Sequence, residues 1–448
     1  MPSALPDGQP VPSDGALPPP AVADVGRRGF GAYVHVPFCA SRCGYCDFNT
    51  YTASELGGAS VEEYADLVCA EIALAARVLA GAAPPLETVF FGGGTPTLLP
   101  PQHQARILAA LEQAFGLTND AEVTTEANPE SVDRPHLAQL RAAGINRISL
   151  GMQSVAPHVL ALLDRRHTPG RAVAAAQEAA EAGFEHINLD LIYGTPGESA
   201  DDFAASLAAA LSAPVDHISA YSLIVEEGTR LAARVRRGEI AAPDDDTAAD
   251  RYLAADATLT GAGFAWYEVS NWAASPAAMC RHNLLYWRGG DWWGFGPGAH
   301  SHIGGVRWWN VKHPSAYAAR VRAGRSPGRG RELLTEEQRR IEEIMLGLRL
   351  AEGLPIGSLT GPQRVQAAEA AAEGLLDADA LNAGRAVLTL RGRLLADALI
   401  VRLLTAGEEI AASGPVGVGR PGHNRMLTPA GPEGSTEMTY FTRRTVIG

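Results

Sequence analysis

Residues 32–48, AYVHVPFCASRCGYCDF, decide how this chain is read. A short β-forming run, AYVHV, leads into a loop that carries Cys39, Cys43 and Cys46. Three thiolates spaced four and three residues apart suit a loop wrapped around one corner of an iron–sulfur cubane. Each holds one iron and the fourth iron is left without a protein ligand. Structural zinc is the plainer alternative, but it wants four nitrogen or sulfur ligands, often as two Cys-x2-Cys pairs, and only one such pair exists here. His35 could be a fourth ligand, yet inside a strand it is expected to pack or hydrogen-bond locally. The chain has five cysteines, and an odd number with three crowded together makes a poor disulfide framework. Cys69, within a helical stretch, is expected to be a buried small hydrophobe.

Outward from this loop the pattern alternates between strand and helix. Strands are predicted at 32–36, 86–91, 121–126, 146–151, 186–193 and 216–223, and helices at 61–80, 103–115, 134–143, 171–182 and 200–211. Gly81, Gly116, Gly144 and Gly183 stand just past helix ends, where a left-handed residue stops a helix. Repeated βα units mean a parallel sheet. Almost every strand runs at once into a polar or Gly-rich cluster: GGGTPT, EANPE, GMQS, IYGTPGE and YSLIVEEGT follow the five later ones. Six decorated strand ends can build one site only if they converge, as at the C-terminal face of a barrel. The expected class is α/β, a partial (β/α)6 barrel with a small, mainly helical C-terminal domain.

The expected domain plan is a disordered Pro- and Gly-rich leader (1–28), a core barrel (29–265), an aromatic-rich segment (266–320), a C-terminal helical domain (321–405) and a flexible tail (406–448). Within the last domain the sequence predicts a short strand, AVLTL, before a final helix at 392–404. All seven tryptophans fall between 264 and 310. The 448 residues are 46% hydrophobic with a formal charge of −13, which argues against a nucleic-acid surface. There is no apolar run of about 20 residues to span a membrane and no secretory signal, so a soluble, cytoplasmic protein is expected.

YVHVPFCASRCGYCDF resembles the signature loop of the radical S-adenosylmethionine (SAM) superfamily. Within it, the chain resembles the branch that contains oxygen-independent coproporphyrinogen III dehydrogenase and the heme chaperones; FFGGGTPTLL, EANPE, SLGMQS and LDLIYGTPGE carry the same likeness. The resemblance implies that Cys39, Cys43 and Cys46 hold a [4Fe–4S] cluster whose open iron takes SAM. It implies that Gly93, Gly94 and Thr95 line the methionine moiety and that Tyr33 and Tyr45 flank the cluster end. Glu126, Gln153, Arg165 and Asp190 match family positions that contact SAM. Asp190, inside an apolar strand, must be paired or functional, because an unpaired buried carboxylate is expensive.

Two features separate the relatives. The dehydrogenase carries a further Cys two residues after the third cluster Cys, where this chain has Phe48. The chaperones carry His-Asn-x-x-Tyr-Trp, which stands here as His282 to Trp287. The resemblance therefore implies a chaperone that binds heme as cargo and passes it to an unidentified acceptor hemoprotein, with an electron donor as a further partner and no catalytic residue assigned. A peripheral contact with a membrane-bound acceptor fits this plan. His282 and Tyr286 are the expected heme-binding residues, with Cys280, His300 and His302 as secondary ligand candidates in an aromatic pocket. The alternatives are the dehydrogenase itself and, less favoured, an RNA-modifying radical SAM enzyme.

Overall fold

The computed structural model describes residues 8–57, 60–165 and 168–406. The chain divides into two compact units. The first holds the residues up to Tyr286 together with Gly290–Thr335, and the second holds Trp287–Gly289 and the residues from Glu336 onward.

The first unit is built on one twelve-stranded sheet. Its parallel staves are β1 (Phe30–Val36), β2 (Leu86–Gly93), β3 (Leu117–Ala127), β4 (Arg147–Gln153), β5 (His186–Tyr193) and β6 (His217–Ser222). They pair in chain order, each neighbour parallel. β7 (Ala265–Glu268) and β8 (Asn271–Ala273) close one side as an antiparallel hairpin on β6. On the other side β9 (Asp291–Phe295) pairs parallel with β1, followed by antiparallel β10 (His300–Ile303), β11 (Val306–Asn310) and β12 (Gly328–Leu333). The two end strands, β7 and β12, do not pair with each other, so the barrel is open.

Alternation along the strands separates two faces. Ala32, Val34, Val36, Val89, Phe91, Ile148, Leu150, Ile187, Leu189 and Leu191 belong to the main core, with Ala65, Val68 and Ile72 of the helix Val61–Leu79 and Ala175, Ala176 and Ala179 of Arg171–Glu181. The intervening residues Thr88, Glu122, Arg147, Asn188 and His217 are polar yet buried. The helices begin and end where local chemistry dictates. Ser60 caps Val61–Leu79 by accepting from the Glu63 amide, and Ala80 and Gly81, both left-handed, stop it.

Two boundaries differ from expectation. Residues 8–28 are ordered: Gln9 pairs with Arg331, the Ser326 amide donates to Ser13, and Ala21 and Val25 are buried. The extended Pro-rich part needs few hydrogen bonds of its own and lies along the edge strand β12 through Gln9, before a short helix at Pro19–Asp24. Residues 321–335 also belong to the first unit, because β12 completes its sheet.

The second unit packs the helices Glu336–Gly347, Gly361–Ala372 and Ala396–Leu404 around Ile344, Met345, Leu348, Leu399 and Leu403. The expected strand AVLTL is reduced to the pair Arg385–Ala386 with Leu354–Pro355, and the final helix is broken between Leu394 and Ala396. All of the expected tail except Ala406 lies outside the described residues. Among those described, no helix is long and apolar enough to cross a membrane.

Candidate functional site at the mouth of the barrel

The loop after β1 is pinned along its length by backbone bonds. Tyr51 donates to Pro37 O (2.7 Å) and Cys39 to Tyr51 O (3.0 Å), which pinches the loop into a closed turn. Gly44 donates to Leu163 O (3.1 Å), and its own carbonyl accepts from Leu231 (2.8 Å). The Asn49 side chain donates to Pro297 O and Lys312 O, both at 2.9 Å, and the Asn49 backbone carbonyl accepts from His35 Nε2 at 2.9 Å. His35 therefore has the local role read from the sequence. Within this frame Cys39, Cys43 and Cys46 are free and partly exposed.

Burial and the neighbouring thiol of Cys43 push Cys46 up to about 12, and burial raises Cys39 as well. Such thiols keep their protons until a metal removes them outright. Among the described residues no three His, Cys, Asp or Glu side chains converge on one point. A cubane asks for the wider arrangement, one thiolate on each of three irons.

The GGGTPT segment lies against this loop. Gly94 donates to Val36 O (2.8 Å), Thr95 to Phe38 O (2.7 Å), and Thr95 Oγ1 is 4.0 Å from Cys39 Sγ. A Cβ on Gly94 would stand 2.5 Å from Phe38 O, and one on Gly93, which has φ 107°, would stand 2.5 Å from the His35 ring. Only glycine lets these two backbones meet.

β3, β4 and β5 bring the charged groups to the same end. Glu126 accepts from the Gly93 amide at 3.0 Å. Burial, with the nearby Asp190 carboxylate, pushes it up to about 7. Asp190 accepts from Ser149 Oγ (2.9 Å) and Asn188 Nδ2 (2.7 Å), while burial raises its pKa against those bonds and the Arg165 charge. Arg165 sits beyond the end of the helix Pro157–Leu162, not on it. It donates to Cys43 Sγ (3.5 Å) and Gly151 O (2.8 Å). A Cβ on Gly151 would collide with that guanidinium. Tyr45 lies in the field of Arg165, the Cys43 and Cys46 thiols and Asp190. Gln153 ends β4 with φ 65° at a break in the β4–β5 register, a strained backbone of the kind that collects at binding sites.

The residues fit a cationic ligand over a cluster. Burial raises the pKa of both carboxylates, and Asp190 raises that of Glu126 further, a state that a sulfonium and an ammonium relieve. Arg165 Nε and Thr124 Oγ1 are buried with no hydrogen-bond partner among the described residues, and such orphans await a ligand or water.

The structure places Tyr33 deeper than its neighbours in sequence. Its hydroxyl bonds His35 Nδ1 at 3.0 Å, and its ring is stacked with Phe90 and His282. Below it lie His282 and Tyr286, the expected heme-binding residues. His282 is 1% exposed; Nδ1 bonds Thr88 Oγ1 and Nε2 bonds Tyr286 Oη, each at 2.8 Å. Burial drives its pKa down to about 3. Both ring nitrogens are engaged by partners within the protein.

The amides of Arg281 and His282, at the head of the helix Arg281–Trp287, both donate to Glu122 at 3.0 Å, and Glu122 faces Arg147 at 3.4 Å. This short helix is a plug in the barrel floor. Cys280 is buried with its thiol on Glu122, His302 bonds Gly290 O at 2.9 Å, and His300 stacks on Trp309. The expected aromatic pocket is filled: Tyr286 packs on Trp292, Trp293 on Trp308, and six of the seven tryptophans are buried. Sequence reasoning missed Glu122, Arg147, Asn188 and His217. Their signal was a polar residue at alternate positions of an otherwise apolar strand.

A family model for the radical SAM superfamily matches residues 33–210. A heme chaperone HemW of Mycobacterium tuberculosis is 56% identical over 385 residues, covering 86% of this chain and 97% of that one. HemW of Synechocystis is 38% identical, covering 75% of this chain and 82% of that one. The solved structure of Escherichia coli coproporphyrinogen III oxidase, HemN, superimposes with a TM-score of 0.72 at 24% identity, over 86% of this chain and 92% of that one. This last likeness shows the fold.

Proposed function

The chain belongs to the heme chaperone HemW family of radical SAM proteins, and from that we propose that it carries heme as cargo and delivers it to an acceptor hemoprotein. Cys39, Cys43 and Cys46 hold a [4Fe–4S] cluster, one iron each, and leave the fourth iron for SAM. With SAM bound at that iron, the pair would supply one-electron chemistry drawn from an external donor. The chain's own residues hold and orient. Gly93, Gly94 and Thr95 bring backbone close to the methionine moiety. Glu126 and Asp190 take up its positive charge, Arg165 offsets the Cys43 thiolate, and Tyr33, Tyr45 and Gln153 complete the walls. We assign this work to the cytoplasm, a reading supported by five cysteines that are all unpaired.

Family membership carries the cargo half of this reading. The cofactor half rests on one observation, the buried Glu126–Asp190 pair facing the thiol loop across Arg165. Phe48, where the dehydrogenase has a fourth cysteine, supports the chaperone over the enzyme.

The test is anaerobic. The cluster is reconstituted, and the protein is assayed separately for heme uptake and for porphyrinogen conversion with SAM and a reductant. Stoichiometric heme uptake without product is the expected result. Protoporphyrinogen formed over many turnovers would make the chain a dehydrogenase.

A further inference from the structure

A hydrogen-bond relay of fixed direction runs from the floor of the barrel to the mouth. Ser149 Oγ donates to Asp190 Oδ2, and the Asn188 amide nitrogen donates both to Asp190 Oδ1 (2.7 Å) and to Ser149 Oγ (2.7 Å). With its nitrogen committed to these acceptors, Asn188 presents Oδ1 on its other side. That oxygen can only accept, and it receives His217 Nδ1 at 2.7 Å and Ser219 Oγ at 3.3 Å. The proton of His217 is thereby fixed on Nδ1, and Nε2 becomes an acceptor for Tyr267 Oη at 2.7 Å. Tyr267 Oη accepts in turn from the Cys280 amide at 3.1 Å, at the threshold of the floor plug.

Register makes the relay: Asn188 lies directly across from His217 on β5 and β6, and Asp190 across from Ser219. His217 is 2% exposed, and burial, with the charges of Arg147 and His186, holds its pKa well below the ordinary range. It is neutral with a single tautomer.

We propose that His217 is a positioning residue for SAM: it holds Asn188, and through Asn188 it aims the Asp190 carboxylate into the mouth. The proposal rests on the reading of Asp190 as a SAM-binding carboxylate. His217 itself touches no ligand.

The test is a double-mutant cycle on the full chain with reconstituted cluster, reading the SAM dissociation constant by equilibrium binding and cluster content by absorbance. Asp190→Asn is expected to weaken SAM roughly ten- to a hundredfold, as for loss of a charge-assisted hydrogen bond. His217→Phe is expected to weaken it roughly tenfold with cluster content unchanged. His217→Asn, whose amide nitrogen falls where Nδ1 stood, is expected to recover most of that loss. In the Asp190→Asn background, His217→Phe is expected to add nothing.

Full additivity of the two changes, or no rescue by Asn, would leave His217 a purely structural residue and overturn the proposal. An unchanged SAM constant in Asp190→Asn would instead overturn the SAM reading on which it stands. If His217→Phe does not fold, Asn188→Ala enters the same cycle with the same expectations.

Discussion

Glu122 and Glu126 stand four residues apart on the same face of β3, and their surroundings are opposite. At the floor, Glu122 accepts from two backbone amides of the plug and from the Cys280 thiol and faces Arg147. At the mouth, Glu126 has one backbone donor and a carboxylate neighbour that works against it. β5 repeats the contrast: Asn188 has both ends of its amide engaged, while Asp190 is held by donors beneath it and raised by burial. One end of the barrel spends its polar groups on each other, and the other leaves them frustrated. A stave is a stability element at its N-terminal end and a binding element at its C-terminal end.

That contrast is sharpest at the cluster loop. Replacing any one of Cys39, Cys43 or Cys46 with Ala should abolish the cluster absorption completely while leaving the far-ultraviolet circular dichroism of the barrel unchanged. Loss of folding together with the cluster would mean that mouth and floor are one cooperative unit.

The floor should respond in the reverse sense. Arg147→Met strands the Glu122 charge in the interior and is expected to cost about 3–5 kcal/mol of stability by denaturant unfolding. The double change Arg147→Met with Glu122→Gln should recover much of it. His282→Ala removes a ring stacked on Phe90 and Tyr33 together with two hydrogen bonds. It is expected to cost about 2–4 kcal/mol and to leave heme affinity unchanged. A drop in heme affinity at constant stability would show that the plug opens to let His282 reach iron, and would erase the distinction between the two ends.

The smallest effect is a pH dependence. Without ligand Glu126 titrates at about 7, and a cationic ligand favours its ionised form. SAM affinity should therefore rise as pH is raised toward 7, by at most about tenfold per unit, and level off above it. The same raised pKa has the opposite sign for the ligand-free fold. The native state binds the proton more tightly than the unfolded chain, so the Glu126 contribution to stability is present below the ordinary carboxylate pKa of 4.5 and is lost as pH rises through about 7. A SAM constant flat across this range would place Glu126 outside the binding site.

Much of this was legible in the chain. The six parallel strands fall where alternation and the closing glycines predicted, because burial of one face against helices writes its period directly into the residues. The thiol loop and the glycine segment were legible for the same local reason, since backbone approach and ligand spacing are encoded in a few adjacent positions. Arg165 was named only through the resemblance, and it is the turn after Pro157–Leu162 that brings it onto Cys43. The order of residues 8–28 was hidden because the edge strand that Gln9 pairs with, β12, comes some 300 residues later.

The sequence by itself determined the barrel, its mouth and the residue types gathered there. Only the tertiary structure shows what surrounds His282. A histidine in an aromatic segment reads alike as a ligand or as core, and its role depends on what meets its two nitrogens. Those partners, Thr88 and Tyr286, come from a stave and from the plug, and Glu122 from another stave caps the plug's first turn. Strand register and chain closure bring them together, and neither can be read from the six residues of the motif.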